Sequence, residues 1–128
     1  MEDSAIIGEF GSPDRFRSVA EAKAAIDRLR ELFNGGSGVA GFCLAILLCP
    51  GLVGGTLEVR AYLSQFGDEC EALYRKSFPL LTQNAETGST EAMNCLAIYY
   101  QTGLPPVERS LDTMRMWDER AARSSKPA

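Results

Sequence analysis

The stretch Val39-Ala-Gly-Phe-Cys-Leu-Ala-Ile-Leu-Leu-Cys-Pro-Gly-Leu52 recurs in the same chain as Glu91-Ala-Met-Asn-Cys-Leu-Ala-Ile-Tyr-Tyr-Gln-Thr-Gly-Leu104. An alanine, the run Cys-Leu-Ala-Ile, a glycine and a leucine coincide at a constant offset of 52 positions. A fixed offset is typical of stacked structural units, each too thin to bury its own apolar face alone. We therefore expect two related helices that stand side by side.

Cap signals predict how the helices before and within the first copy begin and end. Ser18-Val-Ala-Glu21 is a capping box and Asn34-Gly35 is a left-handed stop, which together predict a helix over about 19–33. The apolar run 39–49 has no polar face, so it predicts a helix with neighbours on several sides. This helix is expected to lie at the centre of the domain.

The rest of the chain predicts further helices and no sheet, since no run alternates with period two. A short amphipathic helix is expected over 56–66. Asp68-Glu-Cys-Glu71 is a second capping box, opening a helix that Pro79 kinks or divides. That helix is expected to end at about Glu86. A cap at Ser89 or Thr90 predicts a helix over about 91–102, and a cap at Ser110 predicts a last helix that ends at about Arg123.

Residues 85–122 carry a spaced set of small and large apolar residues. The set is Ala85, Gly88, Ala92, Leu96, Ala97, Tyr100, Gly103, Val107, Leu111, Trp117, Ala121 and Ala122. It resembles the Sel-one-like repeat, a relative of the tetratricopeptide repeat, although Ala97, Pro106, Ser110 and Met114 depart from the family pattern. The resemblance implies an all-α fold, a short irregular α-solenoid of antiparallel helix pairs, with a scaffold or adaptor role.

The predicted organisation is one helical repeat domain over 13–128, because a chain of 128 residues fits a single domain. Residues 1–12 are expected to be a disordered tail or one derived from cloning sequence. Within the domain we expect a capping helix over 18–34, a degenerate repeat over 36–87 with an inserted helix over 56–66, and a second repeat over 88–124.

Composition and charge limit the kinds of partner that the protein can bind and indicate the cellular compartment in which we expect it. Lys and Arg number 13 against 17 Asp and Glu, a net charge of −4, which lacks the excess positive charge that binding nucleic acid requires. The N-terminus has no basic, apolar leader of the secretory kind, and the four cysteines need not be staples, so we expect reduced thiols in a cytoplasm. The apolar run of about 11 residues is shorter than the roughly 20 that span a bilayer. Membrane association through residues 39–54 remains an alternative.

Catalytic motifs are sparse in this sequence. It has no histidine and no Cys-x-x-Cys pair, which removes the commonest general base and metal ligand, and we expect no metal and no cofactor. Gly36-Ser-Gly-Val-Ala-Gly41 has the letters of a dinucleotide fingerprint, but it follows a helix rather than a strand. A thiol-dependent enzyme or redox protein that uses Cys49 or Cys70 is the catalytic alternative.

The predicted partner-binding residues are those that the repeat pattern leaves free. At 100° per residue, Asn94, Ile98 and Gln101 lie opposite the patterned side of their helix, and Phe42 and Ile46 are the equivalents of Asn94 and Ile98 in the first copy. Tyr99 completes the candidate set. Exposed Phe42, Ile46 and Ile98 would form an apolar patch that marks a partner site, unless a third helical layer buries them. The expected function is that of a non-enzymatic adaptor or an inhibitor or immunity-type protein, whose partner is a toxin, effector or secretion component.

Overall fold

The computed structural model describes residues 3–10, 16–49 and 56–124, which form helices and no strand. This confirms the predicted all-α class. The seven α-helices of the described residues are α1 (Asp3–Phe10), α2 (Val19–Asn34), α3 (Gly38–Leu48), α4 (Leu57–Ser64), α5 (Cys70–Glu86), α6 (Thr90–Thr102) and α7 (Leu111–Ser124), with a 3-10 turn at Gly67–Glu69 before α5.

The longer helices pack in the order in which they occur along the chain. α2 lies on α3, α3 on α5, α5 on α6, and α6 on α7, while α4 is added against α2 and α3. The two copies of the recurring sequence, α3 and α6, also contact each other, and α1 lies against both. The expectation that the two copies are neighbours is therefore confirmed.

Side-chain caps form at three of the predicted residues, Ser18, Ser89 and Ser110. Ser18 Oγ accepts a hydrogen bond from Glu21 N at 3.2 Å, and Glu21 Oε2 accepts one from Arg17 N at 3.0 Å, so the box closes one residue earlier than the standard pattern. The left-handed residue after α2 is Gly36, with φ 103°, whereas Gly35 has φ −81°. The predicted stop at Gly35 was therefore one residue early.

The predicted capping box at Asp68–Glu71 does not form. Asp68 lies in the 3-10 turn, and Glu69, which directly precedes α5, makes no side-chain cap bond. α5 then runs without a break through Pro79. Proline has no N–H to donate to the carbonyl four residues back, which is that of Arg75. The neighbouring Tyr74 carbonyl accepts a hydrogen bond from the Tyr99 hydroxyl of α6 at 2.7 Å.

α3 is the buried centre that its composition predicts. Every residue from Gly38 to Leu48 is buried except Ile46, which is half-buried. A Cβ added to Gly38 would lie 2.5 Å from the Leu81 backbone nitrogen, and one added to Gly41 would meet the Ser77 hydroxyl and the Phe33 ring. The glycines that imitate a dinucleotide fingerprint therefore let α3 approach α2 and α5 closely.

The N-terminal region differs from the expected disordered tail. Residues 3–10 form α1, and Ile6 is fully buried as part of the hydrophobic core. Residues 1, 2, 11 and 12 of that expected tail lie outside the described residues. The physical reason is that α3 and α6 leave an apolar surface that Ile6 covers.

Candidate functional site

The outer face of α6 is the part of the predicted partner site that is open to solvent. We use this name for Asn94, Ile98 and Gln101, all of which are exposed, with Ile98 39% exposed. The opposite side of α6 is buried in the core and includes Ala92, Leu96 and Ala97. On this face the isoleucine side chain can bury apolar area against a partner, and the two side-chain amides can donate or accept hydrogen bonds.

Phe42 and Tyr99 do not belong to an accessible surface. Phe42 is 3% exposed and Tyr99 is fully buried, and their ring centroids lie 5.8 Å apart. Tyr74 of α5 is within 6.1 Å of Phe42 and 5.9 Å of Tyr99, also between ring centroids, so the three rings form one aromatic cluster between α3, α5 and α6. Neither side chain can contact a partner while these helices remain packed.

The repeat explains which of the candidate residues are covered. Phe42 lies on the side of α3 that packs on the helices that follow it, α5 and α6. Asn94 occupies the equivalent position on α6, but within residues 56–124 only α7 follows, and Asn94 stays exposed. Ile46 is half-buried at the position equivalent to Ile98. The outer face of α6 thus stays exposed in the described part of the chain, whereas the equivalent positions of α3 are buried or half-buried.

Cys49 and Cys70 meet where α3 ends and α5 begins. The Cys70 thiol donates to the Ala45 carbonyl at 3.5 Å and also contacts the Cys49 side chain. Burial, reinforced by the contact with Cys49, raises the pKa of Cys70 to about 12. A thiol that stays protonated at neutral pH is a poor nucleophile, which opposes catalysis by Cys70.

A cleft of about 340 Å³ opens between the end of α2 and the start of α5. The Arg30 guanidinium crosses it to Glu69 at 2.9 Å and lies 5.9 Å from the centre of the Phe66 ring. Asp68 and Lys76 also line it, so the cleft carries both charges. Within residues 3–10, 16–49 and 56–124, no cluster of acidic and cysteine side chains is suited to hold a metal ion.

The apolar run that motivated the membrane alternative forms the 11-residue helix α3. No helix in the described part of the chain has the length and apolar character needed to cross a membrane. Residues 50–54 of the proposed membrane segment lie outside the described residues.

Sequence reasoning missed the contribution of α1, which contacts both copies of the recurring helix. The signal available was the pair Ile6-Ile7, which is too short for a periodicity to be read. Compared with known proteins, the chain matches no family model, no curated protein and no solved structure.

Proposed function

We propose that the protein is a non-enzymatic interaction module of the Sel-one-like, solenoid type that binds one partner protein through the outer face of α6. The observation that carries this proposal is the pair of equivalent positions Ile46 and Ile98. Ile46 is half-buried and packs against the hydrophobic core, whereas Ile98 is 39% exposed. A partner helix that packs on α6 would complete the layer that α5 and α6 provide for α3.

Two further observations support binding rather than catalysis. The sequence has no histidine, and the Cys70 thiol, the best placed for chemistry with Cys49, has a strongly raised pKa. A small cytoplasmic adaptor, or an inhibitor or immunity-type protein in a bacterium, would suit a surface of this size. Its partner would be a toxin, effector or secretion component.

Site-specific crosslinking in the native cell tests the proposal. A photo-crosslinking residue at position 98 should capture one protein, whereas the same residue at position 57 should not. Leu57 is the matched control because it is 73% exposed but lies on α4, away from the outer face of α6. The captured protein, purified, should bind the wild-type chain and lose at least tenfold affinity for the Ile98→Asp variant, with Leu57→Asp unaffected.

Two outcomes would overturn the proposal. One is capture of the same proteins from both positions, which would show non-specific contact with an apolar side chain. The other is no capture from position 98 in cells that express the chain at its natural level.

A further inference from the structure

Two cysteines lie side by side where α3 ends and α5 begins. The Cys70 sulfur is 3.5 Å from the Ala45 carbonyl oxygen, which in an α-helix points towards the backbone nitrogen four residues further on, that of Cys49. The Cys49 N–H donates to the Ile46 carbonyl instead, and the Cys70 thiol donates to Ala45. The side chains of Cys49 and Cys70 also contact each other. The fold therefore brings together two thiols from the ends of different helices.

The two thiols differ in how accessible they are to solvent. Cys49 is half-buried, whereas Cys70 is only 8% exposed. A reagent in solution therefore reaches Cys49 first, and burial, which raises the pKa of Cys70 to about 12, keeps the second thiol from reacting on its own. An accessible cysteine beside a second, resolving cysteine is an arrangement typical of redox-sensing sites.

Both cysteines lie at helix ends, where the backbone can adjust to a new bond. Cys49 caps the end of α3 with the extended angles φ −72° and ψ 125°, and Cys70 is the first residue of α5. A disulfide requires a specific separation and a dihedral angle near about 90°. A pair at helix ends can reach this geometry without unwinding a helix interior, whereas Cys43 and Cys95 lie within α3 and α6.

We propose that Cys49 and Cys70 form a reversible disulfide, which crosslinks the end of α3 to the start of α5 when a low-molecular-weight disulfide is in excess over its thiol. The Cys49 thiol loses its proton and attacks one sulfur of the small disulfide, which gives a mixed disulfide and releases one small thiolate. The Cys70 thiol then loses its proton and attacks the Cys49 sulfur, and the second small thiolate leaves. Two protein thiols are thus oxidised, and the small disulfide is reduced to two thiols that carry the two protons.

The crosslink stabilises the folded protein. It closes a loop that runs from the end of α3 through α4 to the start of α5. Closing this loop lowers the entropy of the unfolded chain, so the oxidised protein should be more stable than the reduced one. The hydrogen bond from Cys70 to Ala45 is lost on oxidation, but a thiol is a weak donor and this loss is the smaller effect.

Alkylation of the folded, full-length protein tests the proposed disulfide. The protein is equilibrated with an excess of oxidised over reduced glutathione, the remaining thiols are blocked with iodoacetamide, and mass spectrometry of the chain and its peptides locates the bonds. The wild type should lose two alkylatable thiols, joined as Cys49–Cys70, and dithiothreitol should restore both. Cys70→Ser should stop at one glutathione on Cys49, whereas Cys49→Ser should form no disulfide within the chain.

Cys43→Ser and Cys95→Ser are the matched controls, because both of these cysteines are buried within helices. Both variants should still form the Cys49–Cys70 bond. Urea denaturation of the same samples measures the effect of the crosslink: the midpoint should rise when the wild type is oxidised and should not rise for Cys49→Ser.

The proposed disulfide is wrong if the oxidised wild type keeps all of its alkylatable thiols, if its disulfide includes Cys43 or Cys95, or if the bond forms only after urea has unfolded the chain. An unchanged urea midpoint in the oxidised wild type would show that the bond does not stabilise the fold. Measurements on the wild type alone distinguish these results, so no serine variant has to fold. The proposed function does not depend on this disulfide, and crosslinking from position 98 tests it separately.

Discussion

α3 and α6 share the run Cys-Leu-Ala-Ile, yet they differ in how many sides the protein covers. Phe42 is buried in α3, while Asn94 at the same repeat position of α6 is exposed. Ile46 is half-buried, while Ile98 is 39% exposed. α5 and α6, which come after α3 in the chain, both pack against it. Within residues 56–124, α7 is the one helix that comes after α6. Phe42 and Asn94 differ in residue type as well as in the helices around them, so sequence and packing together determine which of these side chains are buried.

The two helices also differ in how closely their partners approach. α3 has Gly38 and Gly41 where α6 has Thr90 and Met93, and the α5 backbone lies against the first glycine. α6 instead meets α5 through rings: the centroid of Phe78 lies 5.4 Å from that of Tyr99 and 6.2 Å from that of Tyr100. The first copy is specialised for close backbone contact and the second for aromatic packing.

The largest expected difference is between the losses of stability caused by alanine substitution at Phe42 and at its equivalent Asn94. Phe42→Ala would leave a cavity beside Tyr74 and Tyr99 and should lower the free energy of unfolding by about 3–5 kcal/mol. Asn94→Ala, on the exposed face, should change it by less than about 0.5 kcal/mol. Urea denaturation followed by circular dichroism measures both. Equal losses would show that the two copies have the same environment.

A smaller effect is expected where α3 approaches α5. The Cβ that Gly38→Ala adds would lie 2.8 Å from the Leu80 carbonyl carbon and closer to the Leu81 nitrogen, so the two helices must separate. Overpacking of this kind should cost about 1–3 kcal/mol. Thr90→Ala, at the equivalent first residue of α6, should change stability by less than about 0.5 kcal/mol in the same assay. A stabilised Gly38→Ala protein would mean that glycine's poor helix propensity outweighs the contact.

Local cap chemistry was sufficient to predict most helix ends. Ser89 Oγ accepts a hydrogen bond from Ala92 N at 3.1 Å, which is one of the two caps that the sequence predicts for α6. Such signals depend on neighbours in the chain alone, so they can be read without the tertiary structure. Asp68 is one exception, because the chain there forms a 3-10 turn instead of a cap, and Gly35 is another, because the left-handed residue is Gly36.

The candidate site could be predicted only in part. A helical wheel correctly placed Asn94, Ile98 and Gln101 on one exposed face, since that relation is internal to α6. It could not show that Phe42 and Tyr99 are buried, because their burial depends on α5, whose rings come from another part of the chain. The packing of α1 against α3 and α6 could not be predicted either, since an eight-residue helix gives too little periodicity.

The smallest expected effect is a pH dependence of stability that arises at the end of α3. The Cys70 thiol donates to the Ala45 carbonyl there, whereas the corresponding end of α6 is the left-handed Gly103. In the folded protein burial raises the pKa of Cys70 to about 12, while an unfolded thiol ionises near about 8.5. Below about pH 8.5 both states keep the proton and the protein has its full stability. Above it the unfolded state loses the proton first, so stability falls as pH rises towards about 12.

The wild type should therefore lose about 1 kcal/mol between pH 8 and pH 9.5 that the Cys70→Ala variant does not lose. Urea denaturation of the two proteins across this range, with a thiol reductant present, measures the difference in slope. The window lies below the ordinary pKa of tyrosine, about 10, and burial raises the pKa of Tyr74 and Tyr99 further. Unfolded tyrosines begin to ionise only near the top of this range, and both proteins contain the same tyrosines, so their contribution cancels in the difference between the two slopes. Parallel stability curves for the two proteins would show that Cys70 is not held protonated at the end of α3.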